Sequence, residues 1–176
     1  EFLVMAAAHL VAVASPGPDF AIVMKHSISY GKRIAVITSV GIAAAIFIHI
    51  AYALAGIGLI IKSTPWAYQA LIFSASAFLI YIGFGAIQSK PSSNIDENES
   101  AEQTMITDKK AFTLGFLTNG LNPKATVFFL SLFTVIVSAD TPFWIKSVYG
   151  VYLALATFLW FFMLSLILTR PNVRQF

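Results

Sequence analysis

Two short tracts place a charge directly after a proline within otherwise apolar sequence: Ser15-Pro16-Gly17-Pro18-Asp19 and Gly120-Leu121-Asn122-Pro123-Lys124. Proline removes a backbone donor and clashes with the preceding turn, and glycine admits unusual dihedrals, so a helix kinks or unwinds at each tract. The carbonyls and amides freed in this way are tolerated inside a bilayer only against protein or a wet cavity. Asp19 brings a negative charge, Lys124 a positive one, and Asn122 both a donor and an acceptor. The opposite charges after the two prolines make an Asp19–Lys124 ion pair a tempting hypothesis, with Lys25, a turn and a half beyond Asp19, as a competing partner. Paired breaks at corresponding positions of two halves are the sequence mark of a solute site in a secondary transporter. Two structural kinks are the blander reading, but that suits a lone proline better than two breaks that each end in a charge.

Bond-making chemistry has no comparable signature. There is no Gly-x-Ser-x-Gly, no His-Glu-x-x-His and no phosphate-binding glycine loop. The absence of cysteine excludes disulfides and thiolate chemistry. His9, His26 and His49 stand far apart in sequence. His9 and His49 lie in apolar stretches, where a neutral imidazole bonded to a neighbouring helix is the plain role. An intramembrane ionisable group is nevertheless a functional candidate, and His49 joins the candidate site with Pro16, Gly17, Pro18, Asp19, Asn122, Pro123 and Lys124.

The elements that must position these residues are membrane helices. Hydrophobic residues make up 58% of the 176 and charged residues only 11%, against about 25% charged in a soluble domain. A bilayer core of about 30 Å takes roughly 20 apolar residues as a helix. Five spans are predicted: Phe2 to Met24, interrupted at the first break; one within Ile34 to Ile61; Trp66 to Ile87; Phe112 to Ser138, interrupted at the second break; and one within Ser147 to Thr169. The fold class is an all-α polytopic transmembrane bundle forming a single membrane domain. Residues 1–89 would make one repeat, about 90–110 an acidic loop, and 111–176 a partial second repeat. With an odd number of spans per repeat the second copy is inverted, and Pro18-Asp19 then corresponds to Pro123-Lys124.

Basic residues give the direction. Alternate loops and the tail hold Lys25, Lys32, Arg33, Lys90, Lys109, Lys110, Arg170 and Arg174, while the opposite loops hold Lys62 and Lys146. Eight against two puts the first side in the cytoplasm, the N-terminus outside and Phe176 inside. The net charge of +3 is thus an orientation signal, not a nucleic-acid patch. Pro91 to Gln103, with Asp96, Glu97, Glu99 and Glu102, has the composition of a disordered cytoplasmic linker.

Depth counts against direct pairing of Asp19 with Lys124. Asp19 lies 17 residues past Phe2, about 26 Å from the outer edge, and Lys124 lies 12 past Phe112, about 18 Å from the inner edge. In a straight-helix bundle these levels differ by more than about 10 Å.

Read together, the tracts resemble the lysine exporter (LysE/RhtB) family of amino-acid and homoserine/threonine exporters. The likeness rests on Ser15 to Asp19, Tyr30-Gly31-Lys32-Arg33, Gly41 and His49, Tyr81-Ile82-Gly83, Gly115 to Gly120, and Asn122-Pro123-Lys124-Ala125. It implies six spans in two inverted three-helix repeats. It also implies proton-driven export of amino acids across the bacterial cytoplasmic (inner) membrane, with the bilayer and a small amino acid as partners. A homodimer is plausible for so small a bundle. A sixth span is expected after Arg174, where the sequence stops at Phe176, so a shortened and inactive membrane protein is one alternative. A divalent-metal or other ion transporter is another, weakened because Asp19 is the one carboxylate within the spans. No metal or cofactor is expected.

Overall fold

A computed structural model describes residues 1–55, 106–138 and 140–170, together with Thr64, Trp66, Gln69 and Phe73. Among these residues the chain is helical: α1 Phe2–Ala14, α2 Pro18–Tyr30, α3 Lys32–Leu54, α4 Asp108–Gly120, α5 Pro123–Ser131, a π-helical turn Leu132–Ile136, and α6 Phe143–Leu168. Most of the third predicted span, the end of the second, the acidic loop Pro91 to Gln103, the Tyr81-Ile82-Gly83 tract and the tail beyond Arg170 lie outside the described residues.

The exposure pattern of α6 shows what kind of bundle this is. Val148, Val151, Leu155, Leu159, Met163 and Ile167 recur at helical spacing and are exposed, while Gly150, Ala154, Thr157 and Ser165 face inward. In water that arrangement is inverted, since a soluble helix turns its polar face outward. Leaving a large aliphatic side chain in water forgoes about 1.5–3 kcal/mol each. In lipid the same face is at home, while the inward Thr157 hydroxyl bonds across to His9 and the Ser165 hydroxyl donates to the Phe161 carbonyl of its own helix. At 23 and 26 residues, α3 and α6 are long and apolar enough to cross a membrane. The pair α1 and α2 is one predicted span broken by a 53° bend.

At the centre is α3, packed on α2, α4 and α6. It runs parallel to α4, with Arg33 meeting Asp108, Thr38 meeting Gly115 and His49 meeting Asn119 along the seam. The approach is backbone to backbone. A Cβ added to Gly41 would strike the carbonyl of Phe112, and one added to Gly115 the carbonyl of Thr38. Both glycines belong to the family-like pattern, and the seam gives their physical reason. Antiparallel to α3 runs α6, so that Ser39 faces Ser165 and Ile50 closes over Gly150.

A single residue, Gly31, turns α2 into α3 with φ +82°, a conformation side chains with a Cβ rarely adopt. The seam and this corner bring Lys32, Arg33, Lys109, Lys110 and Arg170 to one end of the bundle. At the other end Thr141 donates to the Glu1 carboxylate at 3.0 and 3.1 Å.

Candidate functional site

The two breaks face each other across one cavity. In the first, Ser15 and Gly17 are extended, and Gly17 caps α2 with Pro18 at its first position. Pro18 suits this place because the first turn has no partner for its missing N–H. Asp19 follows in the first turn of α2, where the helix dipole favours an anion. The second break is tighter. Asn122 caps α5, its Oδ1 accepting from the Lys124 amide at 3.0 Å, with Pro123 at the first helical position. The Asn122 amide in turn donates to the Asn119 carbonyl at 2.9 Å.

The contacts across the cavity are complementary. Asp19 Oδ2 accepts from Asn119 Nδ2 at 3.0 Å and from Asn122 Nδ2 at 3.2 Å. Lys124 Nζ reaches back to the first break and donates to the Ser15 carbonyl at 2.9 Å and the Pro16 carbonyl at 3.4 Å. The residues that the straight-helix count holds apart are therefore neighbours. The 53° bend and the extended Ser15–Gly17 stretch remove the separation in depth that the count assumes. The tempting Asp19–Lys124 ion pair does not form, however. Among the described residues the ion pair is Arg33–Asp108, at 2.6 Å and outside this site. The ammonium of Lys124 serves the carbonyls freed at the first break, and two asparagine amides serve the carboxylate.

This cavity is narrow and partly open to its surroundings. Ser15, Gly17, Asp19, Asn119, Asn122 and Lys124 line its polar end. Ile46, Phe128, Phe129 and Phe161 line the apolar remainder, joined by His9 and Thr157. Asp19 Oδ1 and Asn119 Oδ1 are both buried and, among the described residues, without a donor. The polar end thus keeps spare acceptors just beneath its surface.

Each predicted residue has a place. Asp19, Asn122, Lys124 and Gly17 are on the cavity wall. Pro16 presents its carbonyl to Lys124. Pro18 and Pro123 are buried helix starts. His49 is fully buried behind the wall, where Nε2 meets the Asn119 carbonyl at 3.0 Å and Nδ1 meets the Tyr52 hydroxyl at 2.6 Å. Its ring stacks on Phe129 with centroids 5.4 Å apart, so it positions two wall residues without touching the cavity.

Among the wall residues absent from the predicted site are Asn119, His9 and Thr157. Asn119 carries a legible signal, because it stands three residues before Asn122 on the approach to the break, and that spacing shares a helix face. His9 and Thr157 meet at 2.9 Å across 148 residues, a pairing that no local pattern announces. Among the described residues, no three His, Asp or Glu side chains are grouped to hold a metal ion.

Comparisons with known proteins bear on the family. The family described as LysE type translocator matches residues 10–175. The chain is 26% identical to the threonine efflux protein of Escherichia coli (strain K12), over 99% of this chain and 84% of that protein. It is also 26% identical to an uncharacterized membrane protein of Haemophilus influenzae over 95% of this chain and 80% of the relative. A leucine efflux protein of Salmonella choleraesuis is 26% identical over 74% of this chain and 60% of its own length. No solved structure gives a significant match. With the match extending over nearly its whole length, both breaks included, the chain belongs to the LysE type translocator family.

Proposed function

We propose that this protein exports amino acids across the bacterial cytoplasmic membrane by secondary transport, with proton entry as the driving force. The observation that carries the reading is the buried carboxylate of Asp19 beside the cavity. Two asparagine amides hold Oδ2, and Oδ1, which has no donor among the described residues, is the atom for an ammonium or a proton. Lys124 and the N-termini of α2 and α5 supply positive charge for a carboxylate on the same wall. Threonine and leucine efflux among the relatives supports amino acids as the cargo. The end bearing Lys32, Arg33, Lys109, Lys110 and Arg170 is the cytoplasmic one in this reading, by the positive-inside rule.

Mechanistically, cargo and proton share Asp19 at different stages. An ionised Asp19 accepts the ammonium from the cytoplasm, and a proton arriving from outside displaces it. Alternating access follows if the α1–α2 break rocks against the α4–α5 break, with Lys124 exchanging its carbonyl partners. A hard divalent cation is a poorer cargo, because it wants several oxygen ligands and the wall brings a single carboxylate.

The test is efflux of a panel of labelled amino acids from preloaded cells, comparing the protein, an empty vector and Asp19→Asn. Faster loss of one class, abolished by the substitution at equal membrane abundance, is the expected outcome. Undiminished efflux in Asp19→Asn removes Asp19 from the mechanism.

A further inference from the structure

The cavity's apolar end carries one polar feature, and it is placed where a cargo side chain would go. His9 on α1 and Thr157 on α6 are 3% and 2% exposed, and they bond Nε2 to Oγ1 at 2.9 Å. Around them stand Phe128, with its ring centroid 6.1 Å from that of His9, and Phe129 at 6.4 Å. Phe161, one turn beyond Thr157, and Ile46 close the wall. His9 precedes Ser15 by six residues, about 9 Å of helix, so the pair stands apart from the charged end that takes the α-amino and carboxyl groups.

Hydrogen-bond arithmetic defines what this pair reads. If imidazole Nε2 donates to the threonine oxygen, the hydroxyl proton, the ring Nδ1 lone pair and one oxygen lone pair are left over. In the other tautomer Thr157 donates, and the Nδ1–H and both oxygen lone pairs are left over. Either way the pair offers one donor and two acceptors. A purely apolar end would discriminate only by size. Here an aliphatic side chain would leave both groups without a partner.

We infer that His9 and Thr157 are specificity-determining residues that select a cargo with an uncharged side chain bearing a hydroxyl or carboxamide, which can both donate and accept. The inference rests on the export reading above and adds to it the class of side chain carried. The flanking rings pack the aliphatic part of that side chain. A cationic or anionic side chain has no counter-charge at this end of the wall.

The experiment uses near-isosteric pairs in preloaded cells: threonine against valine, homoserine against norvaline, and asparagine against leucine. The unaltered protein is expected to export the polar member of at least one pair about tenfold faster or more. Thr157→Val, which keeps the shape and removes the hydroxyl, should shrink that ratio roughly three- to tenfold, the scale of one neutral hydrogen bond. Thr157→Ser should restore it. Apolar members leaving as fast as their polar twins in every pair would overturn the inference while leaving export intact. An unchanged ratio in Thr157→Val, with the variant confirmed in the membrane, would also overturn it. Efflux of no member above the empty vector would instead sink the export reading, and the inference with it. The ratio in the unaltered protein decides the matter even if Thr157→Val fails to fold.

Discussion

The two helix breaks look alike as sequence and behave differently in the structure. Each opens a helix with proline at the first position and a charge at the second. The first break is wide, with an extended stretch, a glycine cap lacking a side chain, and a 53° bend. It exposes the Ser15 and Pro16 carbonyls and the Asp19 carboxylate, all of them acceptors. The second is tight and closed by its own asparagine cap. It projects the Asn119 and Asn122 amides and the Lys124 ammonium, all of them donors. Neither break is satisfied alone, and each supplies what the other lacks. A pair of breaks built in this way can form a site, and can also exchange partners when cargo arrives.

That division of roles can be attacked residue by residue. The largest effect is expected from Lys124→Met, which strips the donor from two carbonyls at once. Ser15 and Pro16 are exposed, but an unpaired backbone carbonyl is costly wherever the medium around it is apolar, so thermal unfolding in detergent should fall and efflux should vanish. Lys124→Arg should recover part of both.

Next comes the seam that holds the second break in place. Gly115→Val forces α3 and α4 apart and should cost about 1–3 kcal/mol by overpacking. The loss would be visible as a lower unfolding temperature even when transport is not assayed.

A finer cut separates the two functions of Asn122. Asn122→Ser retains a helix cap and loses the amide that reaches Asp19, whereas Asn122→Ala loses both. The serine variant should keep nearly wild-type stability with slowed efflux. The alanine variant should lose about 1 kcal/mol more. Equal stability of the two would show that the cap contributes little and that the second break is held from elsewhere.

The smallest effect serves as the baseline. Arg33→Ala removes an ion pair whose side chains are 79% and 47% exposed, worth about 0–1 kcal/mol. Its loss should leave unfolding and efflux nearly unchanged.

Much of this was legible beforehand. Proline and glycine act on their own backbone, so both breaks, the asparagine before Pro123 and the acid after Pro18 could be located without a partner in view. The helix boundaries near Ser15 and Asn122 fall where those residues require. Even so, the same local reasoning set Asp19 and Lys124 more than about 10 Å apart in depth, because counting residues along a helix assumes a straight axis. The bend that upsets the count lies in the break itself. His49 shows the complementary gap. Its burial in an apolar span was readable, but its place behind Asn119 rather than on the cavity depends on which face of α3 meets α4. Gly41 and Gly115 decide that face by letting two backbones touch.

The sequence by itself determined that this chain enters a membrane as helices, which end of the bundle gathers basic residues, and where two of its spans come apart. Those properties follow from composition, hydropathy and the covalent limits of proline, all of which act within a few residues. Only the tertiary structure decided that Asn119 and Asn122 serve Asp19, that Lys124 serves the carbonyls of the opposite break, and that His9 meets Thr157. Such pairings span 100 residues and more. They are selected by helix-to-helix packing that leaves few polar groups unpartnered in an apolar medium, a condition on the whole bundle that no stretch of sequence expresses alone.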